Sequence, residues 1–429
     1  MKPFDRSIRL SGLLAILLAL AMETCGLPVA SAADSPTAFR TLEGRHITLI
    51  TDLPPSPEVD SLPGAFDAAF DVWTELFKVD PVRAAAWRVK AHVMTDRSRF
   101  EAAGLLDRAT YDFREGHQVG DLIYCKDQPS DYYRRHLLLH EGVHWFMERA
   151  LGGYGPKWWM EGTAEWLGTH HWENGRYVGG IVPTSRDQTP YWGRFAWTSQ
   201  DIAGDQIPSL RQILYDVESV HRIDSIYAWS WMAVTFFANH PRYRDDFYTR
   251  LAQPTTSRSS LNDDVMGWIG EDLGLVQQEF NGFLTEMGYG VDPAAAIPDL
   301  TAAAGQTSGR ANDIAADRLW QAVPAGLGAF RISADGVVRL EEQPFVLESH
   351  PQGITLRYVN GQPLGRLLAA VAKTDAPEGR SEPWMPLPLG GGGEIQLGQG
   401  EILLLKVNDS PAAIADNTGS YSVSVEKVE

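Results

Sequence analysis

The chain has 429 residues, 44% hydrophobic and 21% charged, which is a globular balance with more length than one ordinary core takes up. Two domains and a leader are therefore expected. The net charge of −18 argues against a nucleic-acid partner and against binding to an anionic membrane surface.

The first residues read as an export signal. Lys2, Arg6 and Arg9 are basic, residues 12–22 are apolar but short for a bilayer span, and residues 29–34 offer small side chains at cleavage spacing. A signal peptide over 1–33 is expected, with an uncleaved anchor as the alternative. The mature chain is then exported, periplasmic or extracellular. Cys25 falls in the leader, so Cys125 has no internal partner for a disulfide. No later stretch is long and apolar enough to be transmembrane.

HITLITD (46–52) is β-rich and reads as a strand. Phe66, Phe70, Trp73 and Phe77 then recur at helical spacing. Residues 87–94 alternate like a strand, a short helix is predicted from Arg97, and 119–125 reads as another strand. Residues 131–150 carry a helical pattern with an acidic start and no proline. Gly152 to Pro156 can turn the chain, and a second helix is predicted from Lys157 to about Thr169. Further helices are predicted over 225–238, 243–251 and 275–287. Residues 293–317 are small, polar and weakly patterned, as a linker is. Short β runs separated by turns complete the chain. The predicted fold class is α+β: a domain over 34–292, a linker over 293–317 and a small all-β sandwich over 318–429.

Within the 131–150 helix, His140 and His144 stand one turn apart on one face. Two neutral imidazoles so placed can bind one Zn2+, and Glu141 beside them can reach a metal-bound water as its general base. That is the physical content of the HExxH pattern. His136 offers a rival pair with His140, but it puts Leu137 where the base belongs. His136 and His144 lie about 12 Å apart along a helix, so one ion cannot take all three. A catalytic zinc takes three protein ligands, and Glu161 on the second helix is expected to be the third. Glu165, one turn later, can accept from the free N–H of a ligating histidine. His170 and His171, about 14 Å beyond Glu161 on a continuing helix, are assigned to the surface or rim. Trp145, Trp158, Trp159 and Trp166 are read as core. The bland alternative is a chance match on a structural helix.

HEGVH (140–144) followed by WWMEGTAEWLG (158–168) resembles the gluzincin zinc metallopeptidases, whose ligand Glu often sits in a Trp-x-x-Glu-Gly-x-Ala context. The metzincin pattern fails, because Met147 and Ala150 stand where it has Gly and His. The resemblance covers roughly residues 40–290. It implies a thermolysin-like core, hydrolysis of peptide bonds, zinc on His140, His144 and Glu161, and Glu141 as base. It also points to Tyr227, on a later helix, as a donor to the oxyanion; a tyrosine merely packed on its helix is the alternative.

Asn408, Asp409, Asp416 and Asn417 lie between two β runs near the end of the chain. Such oxygens suit Ca2+, and they equally suit a plain turn. The stretch containing NDSP and DNTGSYSV is similar to the closing segment of bacterial galactophilic lectins, where calcium bridges protein and sugar. That resemblance implies Asp409, Asp416 and Asn417 as calcium and sugar ligands, with Asp416 replacing a usual Asn. His350 and Gln352, in HPQG, match the stretch that contacts the sugar. The expected whole is an exported zinc metallopeptidase acting on a peptide or protein, with a calcium-assisted region for galactose-type glycans. The alternatives are a non-catalytic carbohydrate-binding protein on a peptidase-like scaffold, and a zinc-stabilised interaction module without turnover.

Overall fold

A mixed sheet opens the fold. Arg40–Glu43 (β1) and Ile47–Thr51 (β2) are antiparallel, and Val89–Met94 (β3) runs parallel to β2. Gly116–Val119 (β4) and Leu122–Lys126 (β5) form a hairpin, with β5 parallel to β3 and β4 left at the edge. The single strand expected over 119–125 is thus broken by a turn. Gly120, at φ +53, takes the left-handed conformation that the turn needs. The structure, a computed structural model, describes residues 39–106, 112–152, 155–220, 222–254, 258–301, 312–341, 345–374 and 381–428. The expected leader, with Cys25, lies outside them.

Short helices Pro57–Asp60 (α1), Pro81–Ala84 (α3) and Arg97–Ala102 (α4) flank the longer Leu62–Leu76 (α2). The aromatic stripe of α2 is buried as its spacing requires: Phe66 and Phe70 pack on Trp145, and Trp73 packs on Phe146. Trp145 and Phe146 belong to Asp131–Leu151 (α5). Ser130 caps this helix by accepting from the Tyr133 N–H at 3.1 Å, and Gly152 ends it in the left-handed region. Pro156 then opens Lys157–Gly168 (α6).

After the hairpin His170–Glu173 (β6) and Arg176–Gly179 (β7), the chain is helical: Arg194–Ala203 (α7), Leu210–Asp216 (α8), Ile223–Asn239 (α9), Arg244–Leu251 (α10), Arg258–Ile269 (α11), Leu273–Glu286 (α12) and Pro293–Ala296 (α13). Helices α7, α8, α11 and α13 are additions to the predicted set. Helix α9 is apolar nearly all round, and Trp229, Trp231, Phe236 and Phe237 are fully buried, so it forms the centre of this layer. No helix among the described residues is long and apolar enough to cross a membrane.

The remainder is β: Asn312–Ala315 (β8), Gln321–Val323 (β9), Gly328–Asp335 (β10), Val338–Glu341 (β11), Leu347–Ser349 (β12), Ile354–Val359 (β13), Gln362–Leu364 (β14), Leu367–Lys373 (β15), Leu387–Pro388 (β16), Gly392–Leu397 (β17), Glu401–Val407 (β18) and Thr418–Lys427 (β19). One sheet runs β12-β11-β19-β10-β17 with β8 also on β19; another runs β16-β15-β18-β9. Side chains of both, among them Phe330, Ile332, Leu367, Leu405 and Val423, share one core. The expectation of a linker over 293–317 needs correction. Its start forms α13, and its end, β8, pairs with the last strand, Ile314 opposite Tyr421. Small polar composition hides a strand whose partner lies far along the chain.

Helix α12 joins the helical and β regions. Glu286 accepts from Lys406 and from the Trp320 indole, and Lys406 also stands 4.7 Å over that indole. Gln277 donates to Ser381, Asn281 accepts from the Glu382 N–H, and Thr285 accepts from the Trp384 N–H.

Candidate metal centre

Helix α5 holds His140 and His144 on one face, and α6 runs back across it to bring Glu161 in. The His140 and His144 Nε2 atoms are 3.1 Å apart, and they stand 3.4 and 3.3 Å from the same Glu161 Oε2. Ligand atoms bound tetrahedrally at about 2.0–2.1 Å lie about 3.3–3.4 Å from one another. The three atoms therefore have the separations of ligands sharing one ion. The Glu161 Oε2 is buried and accepts no hydrogen bond, which fits an atom reserved for a metal.

The other nitrogen of His140, Nδ1, is 3.2 Å from Glu165 Oε1, the contact that the sequence suggests. Glu165 is buried and doubly held: Arg194 donates from Nε to Oε2 at 2.8 Å and from Nη2 to Oε1 at 2.7 Å. Burial alone would raise the Glu165 carboxyl; Arg194 and His136 outweigh it and hold it well below the usual carboxylate range. Arg194 also lies 5.8 Å from the centre of the Tyr227 ring. Nothing local in the sequence marks Arg194. His136 donates from Nδ1 to the Gly168 carbonyl at 2.8 Å, and its Nε2 is 3.4 Å from Glu165 Oε2. His136, His140 and Glu165 thus make a second group with ligand spacing. Arg194 already supplies the positive charge there.

Glu141 points to the edge strand. A Cβ on Gly116 of β4 would sit 2.4 Å from its Oε1, so only glycine leaves room for the carboxylate. Burial pushes the Glu141 carboxyl up, and His140 and His144 offset part of that rise. A cavity of about 680 Å3 opens over these groups, lined by His140, Glu141, His144, Glu161, Tyr227 and the β4 residues Gly116, His117 and Gln118. Tyr227, on α9, has its ring 5.9 Å from that of His140. Burial and then the nearby carboxylates raise its phenol strongly, so it stays a donor.

Two expectations for the histidines after α6 part ways. His171 is exposed beside Glu173, as expected. His170 is not on the rim: it is 1% exposed, because α6 ends at Gly168 and β6 turns the ring inward between Tyr132 and Tyr177. It donates from Nδ1 to the Gly168 carbonyl at 2.6 Å and accepts from Arg135 at 2.7 Å. The four tryptophans assigned to the core are buried.

In the β region, Asp409 and Asn417 meet: Asn417 Nδ2 donates to Asp409 Oδ2 at 3.0 Å and to the Ala316 carbonyl at 3.1 Å. The Asn417 Oδ1 is buried without a partner, and Asp416 is exposed beside it. Asn408 is spent on structure, donating to the Val359, Gln362 and Pro363 carbonyls. His350 is exposed, with Nδ1 3.1 Å from the Gly336 carbonyl, and Gln352 is exposed near Gly391. The two segments are tied together. Tyr421 donates to the carbonyls of Ser349 and Gly365, and the Gly365 N–H donates to the Asn408 carbonyl.

No known family matches the chain, and no curated protein does. Among solved structures, one described as "EclA N-terminal domain; PllA-like lectin" is similar at 20% identity, covering 28% of this chain and 96% of that chain, with a TM-score of 0.20. The likeness is weak and partial. The fold and site together define a mixed α and β protein with a β-rich C-terminal region and a candidate His/Glu metal-binding group.

Proposed function

We propose that the chain is an exported, thermolysin-like zinc metallopeptidase. One observation carries the reading: His140, His144 and Glu161 converge at ligand spacing, with an unpartnered carboxylate oxygen, beneath an open cleft. The His2Glu donor set suits zinc. Such an ion supplies Lewis acidity, making water acidic enough to attack and drawing charge from a carbonyl. Glu141 takes the proton of the attacking water and passes it to the leaving amine; its raised pKa suits both halves of that transfer. Tyr227 donates to the carbonyl oxygen as negative charge grows on it. β4 is the last strand of its sheet, so its outer backbone can pair with an extended peptide lying in the cleft.

The test is the metal content of the mature protein together with a cleavage screen on proteome-derived peptides, for the wild type and for Glu141→Gln. One zinc per chain, and cleavage abolished in a variant that keeps its zinc, is the expected result. A wild type without zinc, or cleavage unaffected by Glu141→Gln, ends the reading.

The unpartnered Asn417 Oδ1 beside buried Asp409 favours a second reading for the β region: calcium-assisted binding of galactose-type glycans, with Asp416, His350 and Gln352 around the sugar. If this is the chain's only activity, the helical region is a scaffold and the wild type cleaves no peptide. Glycan arrays with and without a calcium chelator test it; identical blank arrays reject it.

A further inference from the structure

The cluster behind the metal centre holds more polar side chains than three ligands and a base require. His136, His140 and Glu165 have the spacing of a second ion site. What fills the position is Arg194, 5% exposed, at the first turn of α7. Its guanidinium spends three donors at fixed geometry: Nε and Nη2 on the two oxygens of Glu165, at 2.8 and 2.7 Å, and Nη1 on the Trp192 carbonyl at 2.8 Å. A planar fork on a carboxylate fixes the plane of that carboxylate as well as its charge.

We propose that Arg194 is a positioning residue for the metal centre: by locking Glu165 it fixes the His140 ring, and by standing as the local cation it limits the centre to one ion. The inference rests on the metal reading above. With both oxygens gripped, Glu165 cannot rotate, and Oε1 stays 3.2 Å from His140 Nδ1. An ionised carboxylate only accepts, and Oε1 at 3.2 Å favours the imidazole hydrogen on Nδ1, which leaves the Nε2 lone pair facing Glu161 and His144. A second ion in the His136/His140/Glu165 group would have to take carboxylate oxygens that Arg194 already occupies, and to strip Nδ1 of its hydrogen. Neither applies to the His140/His144/Glu161 triangle, which faces the cleft.

The experiment uses the full mature chain and zinc itself as the probe, with Arg194→Met, Arg194→Lys, Glu165→Gln and the Arg194→Met/Glu165→Gln double variant. Zinc dissociation constants come from competition with a chromophoric chelator, ligand geometry from the visible spectrum of the cobalt-loaded protein, and folding from near-UV circular dichroism of the metal-free form. Arg194→Met is expected to bind zinc about 10–100-fold more weakly, with altered cobalt bands. Arg194→Lys, which keeps the charge without the fork, falls between that variant and the wild type. In the Glu165→Gln background, Arg194→Met adds less than about twofold, because the lever it acts through is gone. Wild type saturates at one zinc per chain. Arg194→Lys and the double variant carry the comparison if Arg194→Met does not fold. A folded Arg194→Met with wild-type affinity and spectrum, its full loss persisting in the Glu165→Gln background, or two ions on the wild type overturns this inference alone. A wild type that takes up no zinc overturns both readings.

Discussion

Gly162 faces the backbone of Ser230 so closely that a Cβ on it would sit 2.4 Å from the Ser230 carbonyl oxygen and 2.6 Å from Val234 Cγ2. The glycine comes directly after Glu161, so the contact that presses α6 onto α9 also sets the height of the third candidate ligand. A backbone oxygen inside a helix cannot swing aside. Gly162→Ala is therefore expected to lower stability by about 1–3 kcal/mol and to weaken zinc binding by about tenfold or more. Denaturant unfolding of the metal-free chain and a chelator competition measure the two effects. An unchanged midpoint would mean the helices are not so tightly packed.

On the metallopeptidase reading, Gly116 offers a way to separate catalysis from metal binding. Its missing side chain leaves room for the Glu141 carboxylate, and Leu137 Cδ1 also lies 2.9 Å from where a Cβ would be. Gly116→Ala should displace Glu141 while leaving His140, His144 and Glu161 where they are. The expected outcome is a fall in kcat on the order of 10²-fold with zinc content unchanged. Equal loss of zinc and activity would show that the edge strand supports the ligands instead.

Tyr227 has two readings that one substitution divides. As a hydrogen-bond donor to a developing oxyanion, its loss in Tyr227→Phe should cost on the order of 10²-fold in kcat, with little change in KM or zinc affinity. As a packed ring, its replacement by phenylalanine should change kcat less than about twofold. Steady-state kinetics on any peptide found in the cleavage screen decides.

Acid should destabilise the sheet before it touches most carboxylates. His92 on β3 is 2% exposed, stacks on Tyr124, and neither ring nitrogen has a hydrogen-bond partner. Burial, aided by Lys90, lowers its pKa to about 4. The unfolded chain, with an ordinary imidazole near about 6.5, binds the proton first as pH falls. Stability is thus full above about pH 6.5, declines toward pH 4, and the loss reaches about 3 kcal/mol below that. His170, lowered to about 3 by burial, adds to the same slope. Melting temperature against pH should show a shallower acid decline in His92→Leu than in the wild type; identical slopes would remove His92 from the account.

How much the sequence makes legible depends on range. The four-residue spacing of His140 and His144 is a property of one helix, and the Gly/Pro break before Glu161 lies close enough to suggest that the helices cross. Arg194 is invisible at that level because it meets Glu165 across 29 positions, with no periodicity to connect them. Measuring His170 along α6, as if the helix continued through it, misplaces it; the chain changes to strand at that point, which redirects the ring. β8 resembles a linker in composition because its pairing with Tyr421 spans the whole β region. Asp409 and Asn417 are neighbours in space as they are in the sequence pattern, but only the structure separates them from Asn408, whose amide is tied to three carbonyls.

The Glu286–Lys406 pair has a consequence for how the protein can be cut. Both partners are nearly sealed from water, with side-chain exposures of 1% and 3%. Separating the two regions would break this buried ion pair and expose the apolar surface packed around it, Leu275 against Trp320, Leu368 and Leu404. Neither half is then a free-standing module on a tether. On the proposed reading, the cleft would keep a fixed orientation to any glycan held by the β region, so a peptide would have to come to the cleft, which could not swing out to meet it.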